Sequence, residues 1–301
     1  MHPHLILNPY ANRWRVAKLR PAIERCLRAT GIDYDLHVTG GKGEAIAFAR
    51  QAAEEGAPLV IAAGGDGTIG EVINGLCAVA GAHTRLGIVP VGSGNDLAAM
   101  LGIPLDLDGA CRALAAGRAR PLDVGVAIWE NGSERGTYLF GNNSGLGLEA
   151  AVAMRNLRLM HLTARLRYIV AVVQEIAHAR QWQVELEWDG GHYRGPAVLL
   201  SVGNTRRNAG SFYLNPNAEP DDGLLDFIYG SVPSRLRLLQ LLPLALRGLH
   251  IREPEIRMGR AAWLRVRCDP PTAVQTDGEV LSTEANVVEY RVLPHRLEVN
   301  T

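Results

Sequence analysis

A buried strand, a glycine-rich turn and a helix follow one another without interruption near the start of the chain. The apolar run Leu59–Ala63 leads into the turn Gly64–Thr68, with the sequence Gly-Gly-Asp-Gly-Thr, and Ile69–Leu76 has a helical pattern. Free backbone N–H groups and the positive end of a helix dipole then point at one spot, which favours phosphate. The carboxylate of Asp66 would repel phosphate unless it acted through a metal ion or a proton. The turn is therefore typical of a catalytic loop.

Apolar runs alternate with helical patterns over the first 120 residues. Strands are predicted at 4–7, 34–38, 59–63 and 86–90, with helices at 16–29 and 43–55. This alternation predicts a parallel sheet with helices on its faces, in which ligands bind at the carboxyl ends of the strands. Polar and glycine-rich loops follow all four strand ends and should open onto that one edge, at 8–12, 39–41, 64–68 and 91–96.

After Arg120 the pattern changes to short β-rich runs bounded by Gly, Pro, Asn or Asp. Strands are predicted at 123–129, 136–142, 183–188, 194–203, 224–229, 262–268, 273–276 and 287–293. Two helices interrupt them, at about 162–179 and 234–249. The sequence therefore predicts two domains: an N-terminal α/β domain with a parallel sheet over 1–120, and a C-terminal, mainly antiparallel β-sandwich domain over 121–289.

Composition narrows the class of protein. The chain has 301 residues, and its 31 basic and 31 acidic side chains cancel, which argues against nucleic acid as the main partner. Its four cysteines lie far apart, so neither a zinc site nor a disulfide framework is expected. The first residues lack the features of a secretory signal, and the apolar segment 236–249 is too short and too charged to span a bilayer. We expect a cytoplasmic protein with reduced thiols.

Several catalytic motifs are absent or unconvincing. The dinucleotide pattern G-x-G-x-x-G is matched at 65–70 and nearly at 145–150, but the strand after the first match ends in Val89-Pro90, without the expected acid. Gly43 follows Lys42, so there is no Walker A sequence. Scattered histidines and the lack of a Gly-x-Ser-x-Gly elbow argue against zinc and serine hydrolases.

Two stretches, Gly64–Leu76 and Gly87–Ala98, resemble the diacylglycerol kinase catalytic domain of bacterial soluble lipid kinases, which sphingosine and ceramide kinases share. The resemblance continues in chain order at Asn8-Pro9, Asp123–Gly125, Asp221–Asp226 and Thr276–Glu279. It implies an NAD-kinase-like first domain, to which the last strand at about 290–301 returns, and an active site in the cleft between the domains.

The sequence departs from the family pattern in two places. Gly70 stands where the family usually has Asn, which removes a side chain from the nucleotide loop. The residues Tyr10-Ala11-Asn12 replace a turn of the Ser-Gly type that should cover the phosphates.

Phosphoryl transfer needs a positioned nucleotide, a metal ion that neutralises charge, and an acceptor hydroxyl held in line. The resemblance implies that Asp66, Asp96 and Asp123 form a metal and water network beside the phosphates of ATP. The residues that it implies for the nucleotide are Asn8, Pro9, Tyr10, Ala11, Asn12, Arg13, Lys18, Thr39, Gly64, Gly65, Asp66, Gly67, Thr68, Ile69, Gly70, Ser93, Asn95 and Asp96. The alternatives are ordinary turns at the glycines and Ser93, a helix cap at Asp96, and solvated charges at Arg13 and Lys18.

The segment Glu219–Leu224 resembles the family's structural magnesium loop. Its implied ligands are Glu219, Asp222 and Leu224, the first and last through backbone oxygen, and oxygen ligands suit a hard cation. The alternative is a plain Asp-Gly turn before a strand.

The segment Thr276–Glu279 contains the residues that the resemblance implies for the transfer step itself. By resemblance Glu279 accepts the proton of the lipid hydroxyl, and Asp277 orients it or the metal ion. With Asp66, these two residues are the predicted catalytic groups. Another surface Asp-Gly turn is the alternative.

These features favour an ATP- and Mg²⁺-dependent kinase that phosphorylates a lipid hydroxyl, with diacylglycerol as substrate and phosphatidic acid as product. The alternatives are an NAD kinase-like phosphotransferase, a phosphatidylglycerol or sphingoid-base kinase, and a catalytically weak lipid-binding protein. The loop Gly92–Asp96 and the turn Asp277–Glu279 favour the lipid branch over NAD kinase. Arginines among leucines at 157–168 fit a peripheral position at the inner membrane surface, or ordinary packing. A homodimer is left open.

Overall fold

The computed structural model describes residues 2–159, 164–208 and 212–301. Its contacts divide the chain into two compact units. The first unit comprises Met1–Val124 with His295–Thr301, and the second comprises Gly125–Pro294. Each unit is described below by itself.

The first unit is built from alternating strands and helices. Its elements are β1 (His4–Leu7), α1 (Ala11–Ala29), β2 (Asp35–Val38), α2 (Glu44–Glu54), β3 (Leu59–Gly64), α3 (Asp66–Cys77), β4 (Arg85–Pro90), α4 (Asp96–Met100), α5 (Leu107–Ala116) and the start of β5 (Ala119–Glu130). The strands pair in parallel in the order β2-β1-β3-β4, and Val299 near the chain's end pairs with Leu86 beyond β4. The predicted parallel α/β sheet is confirmed.

The core of this unit explains why the turn Gly64–Thr68 is held so firmly. Every residue of β3 is buried, because its apolar side chains face helices on both sides of the sheet. On one face Ile61 and Ala63 pack in a cluster with Ile23 and Leu27 of α1 and Leu114 of α5. A side chain such as Ile61 contributes about 1.5–3 kcal/mol when fully buried. Since the strands are parallel, the loops after β1 to β4 leave the sheet at the same edge.

The second unit consists mainly of antiparallel strands. Its elements after β5 are β6 (Arg135–Phe140), β7 (Asn143–Gly147), α6 (Leu148–Arg158), α7 (Ala164–His178), β8 (Trp182–Trp188), β9 (Gly191–Ala197), β10 (Leu199–Gly203), β11 (Leu225–Gly230), α8 (Arg235–Ala245), β12 (Ile256–Ala261), β13 (Trp263–Thr276) and β14 (Glu279–Asn300). The strands pair in the order β12-β11-β10-β7-β13-β14, and these pairs are antiparallel, which confirms the predicted antiparallel class of this half of the chain.

Strand β13 takes part in two layers of this unit. Its first half, Leu264–Asp269, pairs with β8, whereas Val274–Thr276 pair with β7. Register shifts against β14 separate the two halves. The aromatic rings of Trp188 on β8 and Phe227 on β11 meet at 5.3 Å within one buried cluster. Two layers that share a core in this way are typical of a β-sandwich.

Several elements of the second unit differ from the expectation. Only two helices are predicted, but α6 is a third, and the start of the predicted helix at 162–163 lies outside the described residues. Strand β7 is also missed, because Asn143, Ser144 and two glycines give it little β-propensity. The predicted strand at 194–203 is divided between β9 and β10, and the predicted strands at 262–268 and 273–276 are joined in β13. Strand β12, and α5 in the first unit, lack predicted counterparts.

Candidate active site

The loops after β3 and β4 touch along their backbones. The N–H of Val91 donates to the carbonyl oxygen of Gly64 at 3.1 Å. A Cβ atom added to Gly92 would lie 2.2 Å from the Cα of Gly65, so even alanine at this position would push the loops apart. The glycines therefore permit a close backbone approach, which is one reason to keep a residue without a side chain.

Asp66 follows β3, and its side chain holds the loop after β4 in place. Its Oδ2 accepts the N–H of Asn95 at 2.8 Å, and its Oδ1 accepts those of Asp96 at 2.7 Å and Leu97 at 3.3 Å. Desolvation raises the pKa of Asp66, and the three N–H donors oppose that rise. The carboxylate thus supplies the acceptor at the start of α4. Asp96 is the first residue of that helix, preceded by Asn95 at the N-cap, and is buried.

The loop after β1 is joined to the same region by its first residue. The side-chain amide of Asn8 donates to Thr68 Oγ1 at 3.0 Å, and its backbone N–H donates to the carbonyl oxygen of Ala63 at 3.1 Å. Asn8 Oδ1 in turn accepts the N–H of Tyr10 at 3.0 Å. Asn8 and Thr68, which the sequence predicts at one site, do lie together.

The segment bounded as α1 contains three consecutive non-helical residues with left-handed backbones near its start, and this stretch continues the β1 loop. Asn12, Arg13 and Trp14 have φ values of 50°, 59° and 65°, a conformation that costs a residue with a side chain about 1–2 kcal/mol. The Asn12 amide donates to the carbonyl oxygen of Val91 at 3.4 Å. Strain of this kind clusters at functional sites. Arg13 and Lys18 are exposed, and Ser93 is exposed in the loop after β4.

The loop after β2 is anchored by groups on neighbouring elements. The N–H of buried Thr39 donates to the carbonyl oxygen of Leu7 at 2.9 Å. The carboxylate of Glu71 on α3 accepts the N–H groups of Gly43 at 2.9 Å and Ala45 at 3.2 Å, where α2 begins. Glu71 is absent from the predicted site because nothing in its local sequence indicates which helix it caps. Gly70 beside it is buried within α3.

Asp123 is fully buried at the end of the first unit's long segment. Its Oδ1 accepts the N–H of His295 at 2.6 Å, and His295 has a left-handed φ of 48°. The carboxylate therefore fixes the point at which the last segment of the chain rejoins the first unit.

In the second unit, Asp277 and Gly278 form the two-residue turn of the β13–β14 hairpin, with φ values of 47° and 84°. This is the geometry that favours Asp-Gly. Asp277 Oδ2 accepts the N–H of Gly141 at 3.0 Å, and Oδ1 accepts those of Asn142 and Asn143 at 3.2 and 2.8 Å. The turn is held by three successive backbone donors, and Glu279, half-buried, follows it as the first residue of β14.

Sequence reasoning missed a buried carboxyl that is joined to this turn. Glu149 Oε1 accepts side-chain N–H groups from Asn143, Asn208 and Gln275 at 2.6, 2.6 and 3.0 Å. Burial raises the pKa of Glu149 to about 8, against the lowering effect of its polar neighbours. The near-match to the dinucleotide pattern at 145–150 was the signal, because its first glycine, Gly145, makes room for this side chain.

The predicted magnesium loop at 219–224 is held by ion pairs. Glu219 contacts Arg206, and Asp222 contacts Arg260 and accepts the N–H of Leu224 at 3.0 Å. In the described parts of the chain, no group of three or more His, Cys, Asp or Glu is arranged to hold a metal ion. Both acidic side chains contact arginines, whereas the implied ligands Glu219 and Leu224 would bind through backbone oxygen, so the magnesium loop stays a prediction.

Comparisons with known proteins fit a phosphotransferase built from these two units. Residues 2–127 match the family model of the diacylglycerol kinase catalytic domain, and residues 143–301 match that of the YegS C-terminal NAD kinase beta sandwich-like domain. The chain is 30% identical to "Diacylglycerol kinase" of Bacillus subtilis over 276 residues, which cover 91% of this chain and 88% of that one. It is 31% identical to "Probable lipid kinase YegS" of Escherichia fergusonii over 286 residues, or 93% and 90% of the two chains.

The structural comparison agrees with these matches. The fold superposes on the crystal structure of a diacylglycerol kinase-like protein from Bacillus anthracis with a TM-score of 0.80 and 26% identity, covering 99% of this chain and 96% of the other. The chain belongs to the bacterial diacylglycerol kinase and YegS family of lipid kinases. It is therefore a transferase that phosphorylates a lipid.

The three hydrogen bonds to Asp66 lead to a prediction for Asp66→Asn. An amide can accept with only one end, so at least one of the N–H groups of Asn95, Asp96 and Leu97 loses its acceptor. We expect the free energy of unfolding to fall by about 1–3 kcal/mol, the usual cost of an unsatisfied buried donor. Chemical denaturation measures this change.

Asp106→Asn provides the matched control. Asp106 also begins a helix of the first unit, but its side chain accepts a single N–H, that of Gly109 at 2.7 Å, and Asn caps helices as well as Asp. Equal unfolding free energies for the two variants would contradict the role given to Asp66.

Proposed function

We propose that the protein transfers the γ-phosphoryl group of MgATP to the hydroxyl of diacylglycerol and releases phosphatidic acid and ADP. One observation carries the nucleotide part: the backbones of Gly64–Gly65 and Gly92 meet at the start of α3, which has no side-chain cap at Gly65. Helix N–H groups without a cap are available to phosphate oxygens. Magnesium enters as part of the nucleotide substrate, and the segment Glu219–Leu224 remains the predicted site of a structural magnesium ion.

The predicted nucleotide residues then have distinct tasks. Asn8 and Thr68 hold two loops together at one end of the phosphates, and Asp66 holds the loop that presents Ser93. Asp66 thus serves the site by organising its backbone donors. Arg13 and Lys18 are exposed cations that can neutralise phosphate charge when the strained β1 loop covers the nucleotide. Asp96 and Asp123 remain the predicted partners of the nucleotide's metal ion.

The acceptor step is assigned to the β13–β14 turn. The hydroxyl oxygen of the lipid attacks the γ-phosphorus, the bond to the β-phosphate oxygen breaks, and the hydroxyl proton passes to the carboxylate of Glu279. Asp277 is fully engaged with backbone donors, so its task is to hold the turn that carries Glu279. NAD kinases contain a similar Gly-Gly-Asp-Gly loop, so the competing acceptor is NAD, which is a dinucleotide and not a lipid.

A transfer assay separates the acceptors. The protein is incubated with γ-labelled MgATP and, separately, with diacylglycerol, phosphatidylglycerol, sphingosine or NAD. We expect label on diacylglycerol, and omission of magnesium should abolish it. Label on phosphatidylglycerol or sphingosine would show that the substrate is a lipid other than diacylglycerol. Label on NAD alone, or lipid binding without transfer, would refute the proposal.

Glu279→Gln tests the proton acceptor. An amide cannot take the hydroxyl proton, so we expect kcat to fall by about two orders of magnitude, while MgATP affinity stays nearly unchanged. Glu284→Gln is the control, because Glu284 is an exposed residue of the same strand. Normal turnover in Glu279→Gln would remove this residue from the chemistry.

We further propose that the protein works at a membrane surface. Helix α7 exposes Leu166, Ile169 and Val173 along one stripe, and α8 exposes Leu236 and Leu239. An apolar stripe on a surface helix can enter the headgroup region of a bilayer. Among the described residues, no helix has both the length and the apolar character needed to cross one.

Ile169→Glu should weaken binding to phosphatidylglycerol-containing vesicles by about tenfold, because it places a charge where an apolar side chain would enter the bilayer. Vesicle sedimentation measures the bound fraction, and Met258→Glu, on exposed β12, is the control. Unchanged vesicle binding together with a smaller oligomer for Ile169→Glu, measured by light scattering, would instead identify the stripe as a homodimer interface.

A further inference from the structure

The segment Gly145–Glu149 builds a buried carboxyl between a strand and a helix. Gly145 lies in β7, Gly147 ends that strand with a φ of 65°, and Glu149 is the second residue of α6. A Cβ atom on Gly145 would lie 2.3 Å from Cδ of Glu149, so the glycine leaves the space that the carboxyl fills. Only 7% of Glu149 is exposed, and the proposed phosphoryl transfer does not use it.

The surroundings of this carboxyl are polar but uncharged. Three side-chain amides, from Asn143, Asn208 and Gln275, donate to the same oxygen, Oε1. Among the residues that the structure describes, polar uncharged side chains surround Glu149, and its burial favours the protonated form, in line with its raised pKa. A protonated carboxyl still offers its carbonyl oxygen as an acceptor, so Oε1 can hold all three amides.

Two of these amides connect Glu149 to the turn that carries Glu279. Asn143 donates through its backbone N–H to Asp277 Oδ1 at 2.8 Å and accepts the N–H of Asp277 at 2.9 Å. Gln275 Oε1 accepts the N–H of Gly278 at 2.9 Å. An amide side chain has one donor end and one acceptor end, so the acceptor at Glu149 determines that Gln275 presents its oxygen to Gly278.

We infer that Glu149 is a positioning residue that sets the Asp277–Glu279 turn through Asn143 and Gln275. The inference rests on the proposed function, in which Glu279 takes the proton of the lipid hydroxyl. Catalysis depends steeply on such placement: a displacement of about 1 Å can lower a rate by about 100-fold. Glu149 itself needs no contact with substrate to have this effect.

Two substitutions at position 149 separate placement from charge. Glu149→Gln keeps an acceptor oxygen and carries an N–H where the protonated carboxyl has its O–H, so we expect kcat within about threefold of wild type. Glu149→Ala removes the acceptor, and we expect kcat to fall by about 10- to 100-fold at an unchanged KM for MgATP. Similar losses in both variants would overturn the inference.

A second variant keeps the test decisive if Glu149→Ala folds poorly. Gln275→Leu leaves Glu149 in place and removes the route to Gly278. We expect Gln275→Leu to lower kcat as well. In the double variant Glu149→Ala/Gln275→Leu, the fold-loss in kcat should be smaller than the product of the two single losses, because both changes act on one chain of hydrogen bonds. Val266→Ala is the control for destabilisation alone, since Val266 is a core residue of the same strand.

Hydrogen exchange at the Gly278 amide, followed by NMR, gives a readout that does not depend on kinase activity. We expect slow exchange in wild type, Glu149→Gln and Val266→Ala, and exchange at least tenfold faster in Glu149→Ala and Gln275→Leu. Unchanged exchange in the last two variants would overturn the inference. Faster exchange in them, with no transfer by wild type, would support the positioning role and refute the proposed function.

Discussion

The carboxylate of Asp66 is the interaction on which the nucleotide side of the structure depends. It accepts the backbone N–H groups of Asn95 at the end of the β4 loop and of the first two residues of α4. These bonds determine where Gly92–Asn95 lie relative to the start of α3. Each of these buried N–H groups would cost about 1–3 kcal/mol if it lost its acceptor, so the three bonds hold the loop in place. Glycine has few conformational restrictions, so these two glycine-rich loops depend on such contacts to form one surface.

The second unit uses the same device at Asp277. This carboxylate also accepts three N–H groups, those of Gly141 to Asn143, and the hairpin turn that it begins carries Glu279. Among the acidic residues of the candidate site, Asp66, Asp123 and Asp277 accept backbone N–H groups. Glu279 is proposed to take the proton of the lipid hydroxyl, and Asp123 is also a predicted partner of the nucleotide's metal ion.

The alternation of apolar runs and helical patterns was sufficient to predict the parallel sheet, because β3 and its neighbours are apolar on both faces and short loops leave little freedom of topology. It was insufficient for β7, where a polar, glycine-containing strand is stabilised by the strands on either side of it. Burial by partners distant in sequence overrode local propensity there.

The candidate site divides in the same way. Contacts such as Asn8 with Thr68 follow from strand ends that meet at one edge, so the sequence predicts them. Glu71 and Glu149 act through hydrogen bonds to residues of other elements, and no local sequence pattern predicts those bonds. The arginines that contact Glu219 and Asp222 likewise lie elsewhere in the sequence, and no local pattern indicates these ion pairs.

A ¹⁵N-resolved NMR titration with the magnesium complex of a non-hydrolysable ATP analogue tests the central claim most directly, namely that the joined loops after β3 and β4 bind nucleotide phosphate. The account predicts the largest saturable shifts at the amides of Gly65, Gly67, Thr68 and Gly94. Saturable shifts confined to other parts of the first unit, with these amides unmoved, would contradict it.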